Sequence, residues 1–238
     1  MPKALRGDHL FTQRKELTVV PAYLINLDHR ADRLSAAKNA TLNMGINAIR
    51  VPAVDTRRQT EFCETTVDPG AGEAIKRGYR IEHDELSSGA VGCYLSHINC
   101  WKLIKTSGEP AGLILEDDIV YTGDPDKFAN VLNLAKKEVI QNEVDIFLLG
   151  NLLWLLGITS ESEKIVSVNQ FFGTHAYLIS ASACDKLLNT ALPIKCQLDS
   201  FISRLNSARV LQTKAILPSL IQQSGLDTDI QSPFKGNT

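Results

Sequence analysis

The sequence predicts an α/β fold in which a mainly parallel sheet is flanked by helices. Short apolar segments, typical of buried strands, alternate along the chain with segments whose apolar residues recur at helical spacing. The chain has 238 residues, of which 44% are hydrophobic and 22% charged, and this is enough to build one large core. We therefore expect a polar extension over residues 1–18, a single domain over residues 19–232 and a short tail over residues 233–238.

The chain opens with a predicted strand, helix and strand. Residues 19–27 are rich in Val, Ile, Leu and Tyr, which favours a buried strand, and residues 46–54 form the next one. Asp28 is expected to cap the helix between them, and Gly45 stands where a left-handed residue ends a helix. Residues 57–86 contain several glycines and little periodicity, so we expect a long surface loop there.

The later part of the chain continues the alternation of helices and strands. Residues 88–106 have helical spacing, and residues 112–115 form a short predicted strand that ends directly in three acidic residues. Asp124 followed by Pro125 is typical of a helix N-terminus, and this helix is expected to run to about residue 140. Further strands are predicted at residues 145–149, 176–180 and 210–217, and further helices at residues 183–188 and 198–205.

Charge and cysteine content argue against a nucleic-acid-binding protein and against a disulfide-bonded secreted one. The 25 Lys and Arg residues against 27 Asp and Glu residues give a net charge of -2, so no basic field favours nucleic acid as a partner. Five cysteines without a Cys-x-x-Cys pair predict free thiols and a reducing, cytoplasmic location. Residues 1–18 carry no apolar run that resembles a secretory signal or a membrane anchor.

The longest apolar stretch, residues 146–158, is too short to span a bilayer, which takes about 20 residues. Gly150 and Asn151 interrupt it, so it is interpreted as a buried strand followed by an apolar loop or short helix. The alternative is that this loop contacts a membrane surface or an apolar acceptor. The sequence leaves both readings open.

Three consecutive carboxylates, Glu116, Asp117 and Asp118, follow the predicted strand at residues 112–115. In open α/β sheets the ligand site lies beyond the carboxyl ends of the strands. Two like charges about 4 Å apart repel by roughly 4 kcal/mol at an effective dielectric near 20, so such a cluster favours a bound cation or proton. Oxygen ligands of this kind suit Mg²⁺ or Mn²⁺. The alternative is that these residues cap the next loop or pair with Arg or Lys.

Two other chemistries fit the sequence less well. A phosphatase of the haloacid dehalogenase type needs Asp-x-Asp after the strand, but Glu116 holds the first place, and a start at Asp117 puts Ile119 in the last. A dinucleotide site needs Gly-x-Gly-x-x-Gly, and the glycines at positions 70, 72 and 78 have a different spacing. Neither class is predicted.

Six short motifs occur in order along the chain. Residues 26–33 (NLDHRADR) have the form Asn-Leu-x-x-Arg-x-x-Arg, residues 92–101 (GCYLSHINCW) the form Gly-Cys-x-x-Ser-His-x-x-x-Trp, and residues 114–118 (ILEDD) are an acidic motif. The later blocks are Gly173 with residues 176–180 (AYLIS), residues 198–201 (LDSF) and residues 228–230 (TDI). Together they resemble glycosyltransferase family 25, which includes lipooligosaccharide galactosyltransferases and relatives of the collagen galactosyltransferases.

The resemblance implies a GT-A type, Rossmann-like fold and an inverting transfer from a nucleotide-sugar donor. It implies that a hexose, with galactose as the first candidate, passes from a UDP-sugar to a glycan or glycosylated acceptor, and that Mn²⁺ or Mg²⁺ assists. The other function that stays open is a catalytically silent nucleotide-sugar-binding or interaction domain of the same fold.

The same resemblance implies roles for individual residues. Asp118 and Glu116 are expected to hold the metal, with Asp229 closing the site, and Asp199 is expected to be the general base. The expected donor-binding residues are Asn26, Arg30, Arg33, His97, Glu116 and Asp117.

Plainer roles are open for several of these residues. The two arginines could form ion pairs within their helix, and His97 could be a hydrogen-bonded structural group. Asp199 could cap its helix, and Asp229 could be merely solvated.

Overall fold

A seven-stranded sheet forms the centre of the computed structural model, which describes residues 20–225 and residue 230. The strands of the described chain are β1 (Ala22–Asn26), β2 (Ala48–Pro52), β3 (Ala111–Glu116), β4 (Ile119–Val120), β5 (Ile146–Gly150), β6 (Lys164–Val168), β7 (Ala176–Ser180), β8 (Thr213–Leu217) and β9 (Gln222–Gln223). The order in the large sheet is β2-β1-β3-β7-β5-β8-β6, and β4 pairs with β9 in a separate short ladder.

Strand directions confirm the prediction of a mainly parallel sheet. Strands β1, β2 and β3 pair in parallel, and so do β5 and β8. Strand β7 is antiparallel to both β3 and β5, and β6 is antiparallel to β8. Five strands therefore run one way among the described residues, so the carboxyl ends of β1, β2 and β3 meet at one edge of the sheet.

Helices cover both faces of this sheet. They are α1 (Ala31–Asn43), α2 (Pro69–Arg77), α3 (Ser88–Ser107), α4 (Pro125–Lys136), α5 (Ala181–Leu188) and α6 (Leu198–Ser207) in the described chain. Side chains alternate along β3, so Ile114 packs into one hydrophobic core while Leu113 and Leu115 pack into the other. Within residues 20–225, no helix combines the length and the apolar character that crossing a bilayer requires.

Two local predictions are wrong. Residues 57–86 are not all loop, because α2 begins after Asp68, whose side chain accepts hydrogen bonds from two backbone N–H groups, and ends at Gly78 with a φ of 77°. Asp28 does not cap α1. That helix begins after Arg30 with no side-chain cap, and Asp28 instead pairs with Arg50 at 2.5 Å.

Candidate active site

The acidic motif lies where β3 ends, and Asp117 is its most tightly paired member. The buried Asp117 carboxylate accepts a hydrogen bond from the Asn26 amide at 2.7 Å and forms an ion pair with Arg33 at 2.6 Å. Asn26 is the last residue of β1, and Arg33 lies in the first turn of α1. Burial raises the pKa of Asp117, although the Asn26 and Arg33 contacts oppose the shift. The strand-helix turn after β1 thus fixes one carboxylate of the motif.

Asp118 has one carboxylate oxygen paired and one left over. Its Oδ2 accepts from the Gln223 amide at 2.8 Å and lies 3.2 Å from Arg33. Its Oδ1 is buried and has no hydrogen-bond partner among the described residues. Burial raises the pKa of Asp118 to about 7, with a further contribution from the charge of Glu116, and this outweighs the opposing effect of the shared Arg33 guanidinium. A buried oxygen of this kind fits a cation ligand.

Glu116 points into a different set of partners. Its Oε1 accepts from the Thr174 hydroxyl at 2.9 Å and lies 3.3 Å from His97 Nε2. Burial by itself would raise the pKa of Glu116, but the hydrogen bond from His97, together with His175 and Thr174, brings it below its usual value. Glu116 is therefore ionised near neutral pH.

A buried relay of three side chains positions Glu116. The Trp101 indole N–H donates to the Tyr177 hydroxyl at 3.0 Å, and His97 Nδ1 lies 2.8 Å from the same hydroxyl. Because Tyr177 already accepts from Trp101, its own hydrogen is free to point to His97 Nδ1, which assigns the remaining hydrogen of His97 to Nε2, facing Glu116. His97 thus holds the Glu116 carboxylate in place by donating a hydrogen bond to it.

Cys93, His97 and Glu116 form the one group of possible metal ligands of this kind among the described residues, with ligand atoms within 4.8 Å of one another. The hydrogen on His97 Nε2 already bonds to Glu116, and an ion here would have to displace it. Burial also raises the pKa of the Cys93 thiol well above its usual range, which disfavours the thiolate that metals bind. The unpartnered oxygen of Asp118 is the better candidate.

Two adjoining cavities meet at the acidic motif. The narrower one lies beyond the carboxyl ends of β1 and β2 and is lined by Asn26, residues 53–57 and Asp117. The larger one, of about 360 Å³, is lined by Asp118, Thr174 and Asp199 among others. This volume is within the range of small-molecule sites, about 300–1,000 Å³. The residues that line both cavities are Arg33, Cys93, Glu116 and Ile230.

Asp199 lies in the first turn of α6 and faces the larger cavity. Its two carboxylate oxygens accept hydrogen bonds from the backbone N–H groups of Gly173, at 3.2 Å, and Ser200, at 2.7 Å. Burial raises the pKa of Asp199, and these two hydrogen bonds oppose the shift. The position N-terminal to α6 belongs to Gln197, which makes no side-chain cap, so Asp199 is not the cap of this helix.

The structure brings most of the residues singled out from the sequence to one place. Two hydrogen-bonded groups meet at the junction of the cavities: one contains Asn26, Arg33, Asp117 and Asp118, and the other contains His97 and Glu116. Arg30 is not among the residues that line either cavity, and it pairs with Asp32 at 3.0 Å. Asp229 lies outside the described residues. Sequence reasoning gave no site role to Thr174 and Gln223, which reach the motif from distant parts of the chain, or to Tyr177, which lies in the block at residues 176–180 and contacts His97.

The sequence of this chain is similar to those of several curated glycosyltransferase 25 family members. Procollagen galactosyltransferase 1-B of Xenopus laevis is 28% identical over 173 residues, which are 70% of this chain and 28% of that protein. A glycosyltransferase 25 family member of Drosophila pseudoobscura pseudoobscura is 28% identical over 190 residues, covering 74% of this chain and 28% of that one. Inactive glycosyltransferase 25 family member 3 of Mus musculus is 25% identical over 201 residues, which are 79% of this chain and 32% of that protein.

The chain spans about a third or less of the length of these relatives. The family model described as glycosyltransferase family 25 (LPS biosynthesis protein) matches residues 19–202, which is most of the chain and includes the acidic motif and the relay. The chain therefore belongs to glycosyltransferase family 25.

Proposed function

We propose that this chain is a metal-dependent inverting glycosyltransferase. In this proposal it transfers a hexose, with galactose as the first candidate, from a UDP-sugar to a hydroxyl of a glycan or glycosylated acceptor. The observation that carries the proposal is the pair of adjoining cavities with Glu116 at their junction and two further carboxylates, Asp118 and Asp199, in the wall of the larger one. The galactosyltransferase named among the relatives supports the choice of sugar.

The balance of charge at the junction favours a bound cation. The carboxylates of Asp117 and Asp118 share the guanidinium of Arg33, Glu116 adds a third carboxylate next to them, and one oxygen of Asp118 has no hydrogen-bond partner among the described residues. Asp118 and Glu116 would hold Mn²⁺ or Mg²⁺, and Asp229, outside the described residues, stays the candidate third ligand. When bound, a divalent ion supplies a Lewis acid that stabilises the negative charge on a departing diphosphate.

The arrangement of the two cavities suits a nucleoside diphosphate sugar, because they adjoin at Arg33 and Glu116. The sugar would lie in the larger cavity, and the narrower one, of about 50 Å³, would have to widen to take the nucleoside near Asn26 and the backbone after β2. Arg33 lines both cavities, where the diphosphate between nucleoside and sugar would pass, and a guanidinium suits phosphate oxygens.

Asp199 is the candidate base for the acceptor. In an inverting transfer, the acceptor hydroxyl attacks the anomeric carbon while the bond from that carbon to the diphosphate oxygen breaks, and a carboxylate takes the hydroxyl proton. Asp199 faces the larger cavity, and its pKa, raised by burial, makes it a stronger proton acceptor than an exposed aspartate. A cytoplasmic location is part of the same proposal, which the five free thiols support.

A catalytically silent nucleotide-sugar-binding domain is the second candidate. The observation in its favour is that Arg33 already lies 2.6 Å from Asp117 and 3.2 Å from Asp118, where it neutralises charge that a metal would otherwise neutralise. A relative in mouse is named inactive, which shows that loss of activity occurs within the family.

Hydrolysis and transfer assays with a panel of nucleotide sugars, UDP-galactose first, distinguish the two candidates. We expect turnover that requires Mn²⁺ or Mg²⁺ and that is lost in Asp118→Asn. A matched control is Asp126→Asn, which changes an exposed aspartate in the first turn of α4. Binding of a nucleotide sugar without turnover by the wild-type chain would support the silent domain. Absence of binding to every nucleotide sugar, with or without metal, would refute both candidates.

A further inference from the structure

Four large apolar side chains are exposed on one turn, and one of them, Leu155, lines the larger cavity. A single 3₁₀ turn, Leu153–Leu156, follows β5, and we call residues 153–158 the apolar turn. Trp154 is 62% exposed, Leu155 49%, Leu156 37% and Ile158 38%. Solvent exposure of neighbouring apolar side chains on this scale is unfavourable unless something covers them.

The apolar turn is a hydrogen-bonded structure. Leu153 is fully buried and anchors it, and the Ile158 N–H closes it by donating to the Leu153 carbonyl at 3.1 Å. Asn151 ties its base to the sheet, because its amide donates to the Ile216 carbonyl at 3.1 Å. The exposed side chains are therefore presented on a defined backbone.

The apolar turn is continuous with one wall of the larger cavity. Leu152 and Leu155 line that cavity together with Phe172 and Leu198. The Leu152 N–H donates to the Phe172 carbonyl at 3.1 Å. Gly173, the residue after Phe172, donates its N–H to the Asp199 carboxylate. The cavity that Asp199 lines thus has an apolar wall that continues into the apolar turn at Leu155, the residue next to Trp154.

From this continuity we propose that the apolar turn binds an apolar group attached to the acceptor sugar. The acceptor is then a glycoside with an alkyl or acyl chain, whose sugar hydroxyl lies at Asp199 while the chain lies on Leu155 and Trp154. This inference rests on the proposed function, because it assigns the acceptor class of the same site.

Two other occupants fit the apolar turn less well. A specific interface between two copies covers about 800 Å² on each partner. Even large aromatic side chains bury only about 150–250 Å² each, and these four are only 37–62% exposed, so they offer too little area. An anionic membrane is disfavoured because residues 151–163 contain no Lys or Arg and include two glutamates.

The fluorescence of Trp154 tests the proposal without any need for donor, metal or turnover. The chain has two tryptophans, and the other one, Trp101, is fully buried. We expect octyl β-galactoside or octyl β-glucoside, below micelle-forming concentrations, to shift the emission to the blue, and the methyl glycosides to have no such effect. Trp154→Phe should abolish the shift.

Leu155→Ser should weaken the affinity for the octyl glycoside by about tenfold, because it removes apolar contact area. The matched control is Leu42→Ser, which changes a 71% exposed leucine on α1 and should leave that affinity unchanged. If Leu155→Ser does not fold, Leu155→Ala, which shortens the same cavity-lining side chain without adding a polar group, replaces it.

Three results would overturn the proposal. They are an absence of any shift with octyl glycosides, an equal shift with phosphatidylcholine vesicles that carry no sugar, and a shift on raising the protein concentration alone. The second result would indicate a membrane surface and the third a second copy of the chain. UDP binding, measured separately by calorimetry, reports on the proposed function alone, so its failure is distinguishable from failure of the acceptor assignment.

Discussion

Removal of the Tyr177 hydroxyl should destabilise the fold more than the loss of one hydrogen bond does. Tyr177→Phe leaves both the Trp101 N–H and His97 Nδ1 without their partner, in a region where all three side chains are fully buried. An unsatisfied buried polar group costs about 1–3 kcal/mol, so two of them should lower the free energy of unfolding by about 2–6 kcal/mol. In a chain of this size, where 1 kcal/mol corresponds to about 2–4 °C, the melting temperature should fall by roughly 4–24 °C.

The assay compares urea unfolding of the wild type, Tyr177→Phe and the matched variant Tyr121→Phe. The Tyr121 hydroxyl donates a single hydrogen bond, to the Asp124 carbonyl at 2.7 Å in a partly buried position, so its removal should cost about 1 kcal/mol. A Tyr177→Phe effect no larger than that of Tyr121→Phe would refute the relay.

The relay also makes a functional prediction for the same variant. Without the Tyr177 hydroxyl, His97 is no longer held in one orientation, and the hydrogen bond that it gives to Glu116 weakens. Loss of a supporting contact of this kind typically reduces activity or metal affinity about 10–100-fold. The rate of metal-dependent hydrolysis of the preferred UDP-sugar should fall by this factor in Tyr177→Phe and should be unchanged in Tyr121→Phe.

Three further predictions concern the carboxylates and the thiols. Asp199→Asn should slow sugar transfer by roughly 10²–10⁴-fold with little change in UDP-sugar affinity, and near-normal turnover would remove Asp199 from the mechanism. The pKa of Asp118 is raised from 3.8 to about 7, so between these pH values the folded chain keeps a proton that the unfolded chain has released. The wild type should therefore lose unfolding free energy relative to Asp118→Asn as the pH rises from about 4 to about 7, and parallel pH profiles in urea unfolding would contradict this. All five cysteines are free thiols, so melting temperatures with and without reductant should agree; a clear drop on reduction would contradict this.

The sequence predicts this sheet well where strands are buried on both faces. Strands such as β3 and β7 are continuous apolar runs, and the prediction for β7 matches its observed bounds of Ala176–Ser180. Strand β6, at the edge of the sheet, has only one buried residue among its five and carries a weaker apolar signal, and it was not predicted. Helix α2 was also missed, because two glycines within its nine residues hide its periodicity. Its signals lie at its ends, in Asp68, Pro69 and Gly78.

The acidic motif was visible in the sequence, but its partners were not. Carboxylates directly after a buried strand are a local pattern, whereas the partners of Glu116 and Asp118 are far away in the chain. Gln223 is 105 residues from Asp118, and Thr174 is 58 residues from Glu116. These contacts depend on the placement of β7 beside β3 and on the pairing of β9 with β4, and no spacing within the sequence encodes that order.

Calorimetric titration of UDP into the wild type and Asp118→Asn, with and without Mn²⁺, tests the central claim most directly. The proposed metal site predicts that the wild type binds UDP only when Mn²⁺ is present, that Asp118→Asn has lost this binding, and that Asp126→Asn, with its exposed side chain on α4, retains it. Circular dichroism of the three proteins should be the same. Undiminished UDP binding by Asp118→Asn in the absence of metal would contradict the claim.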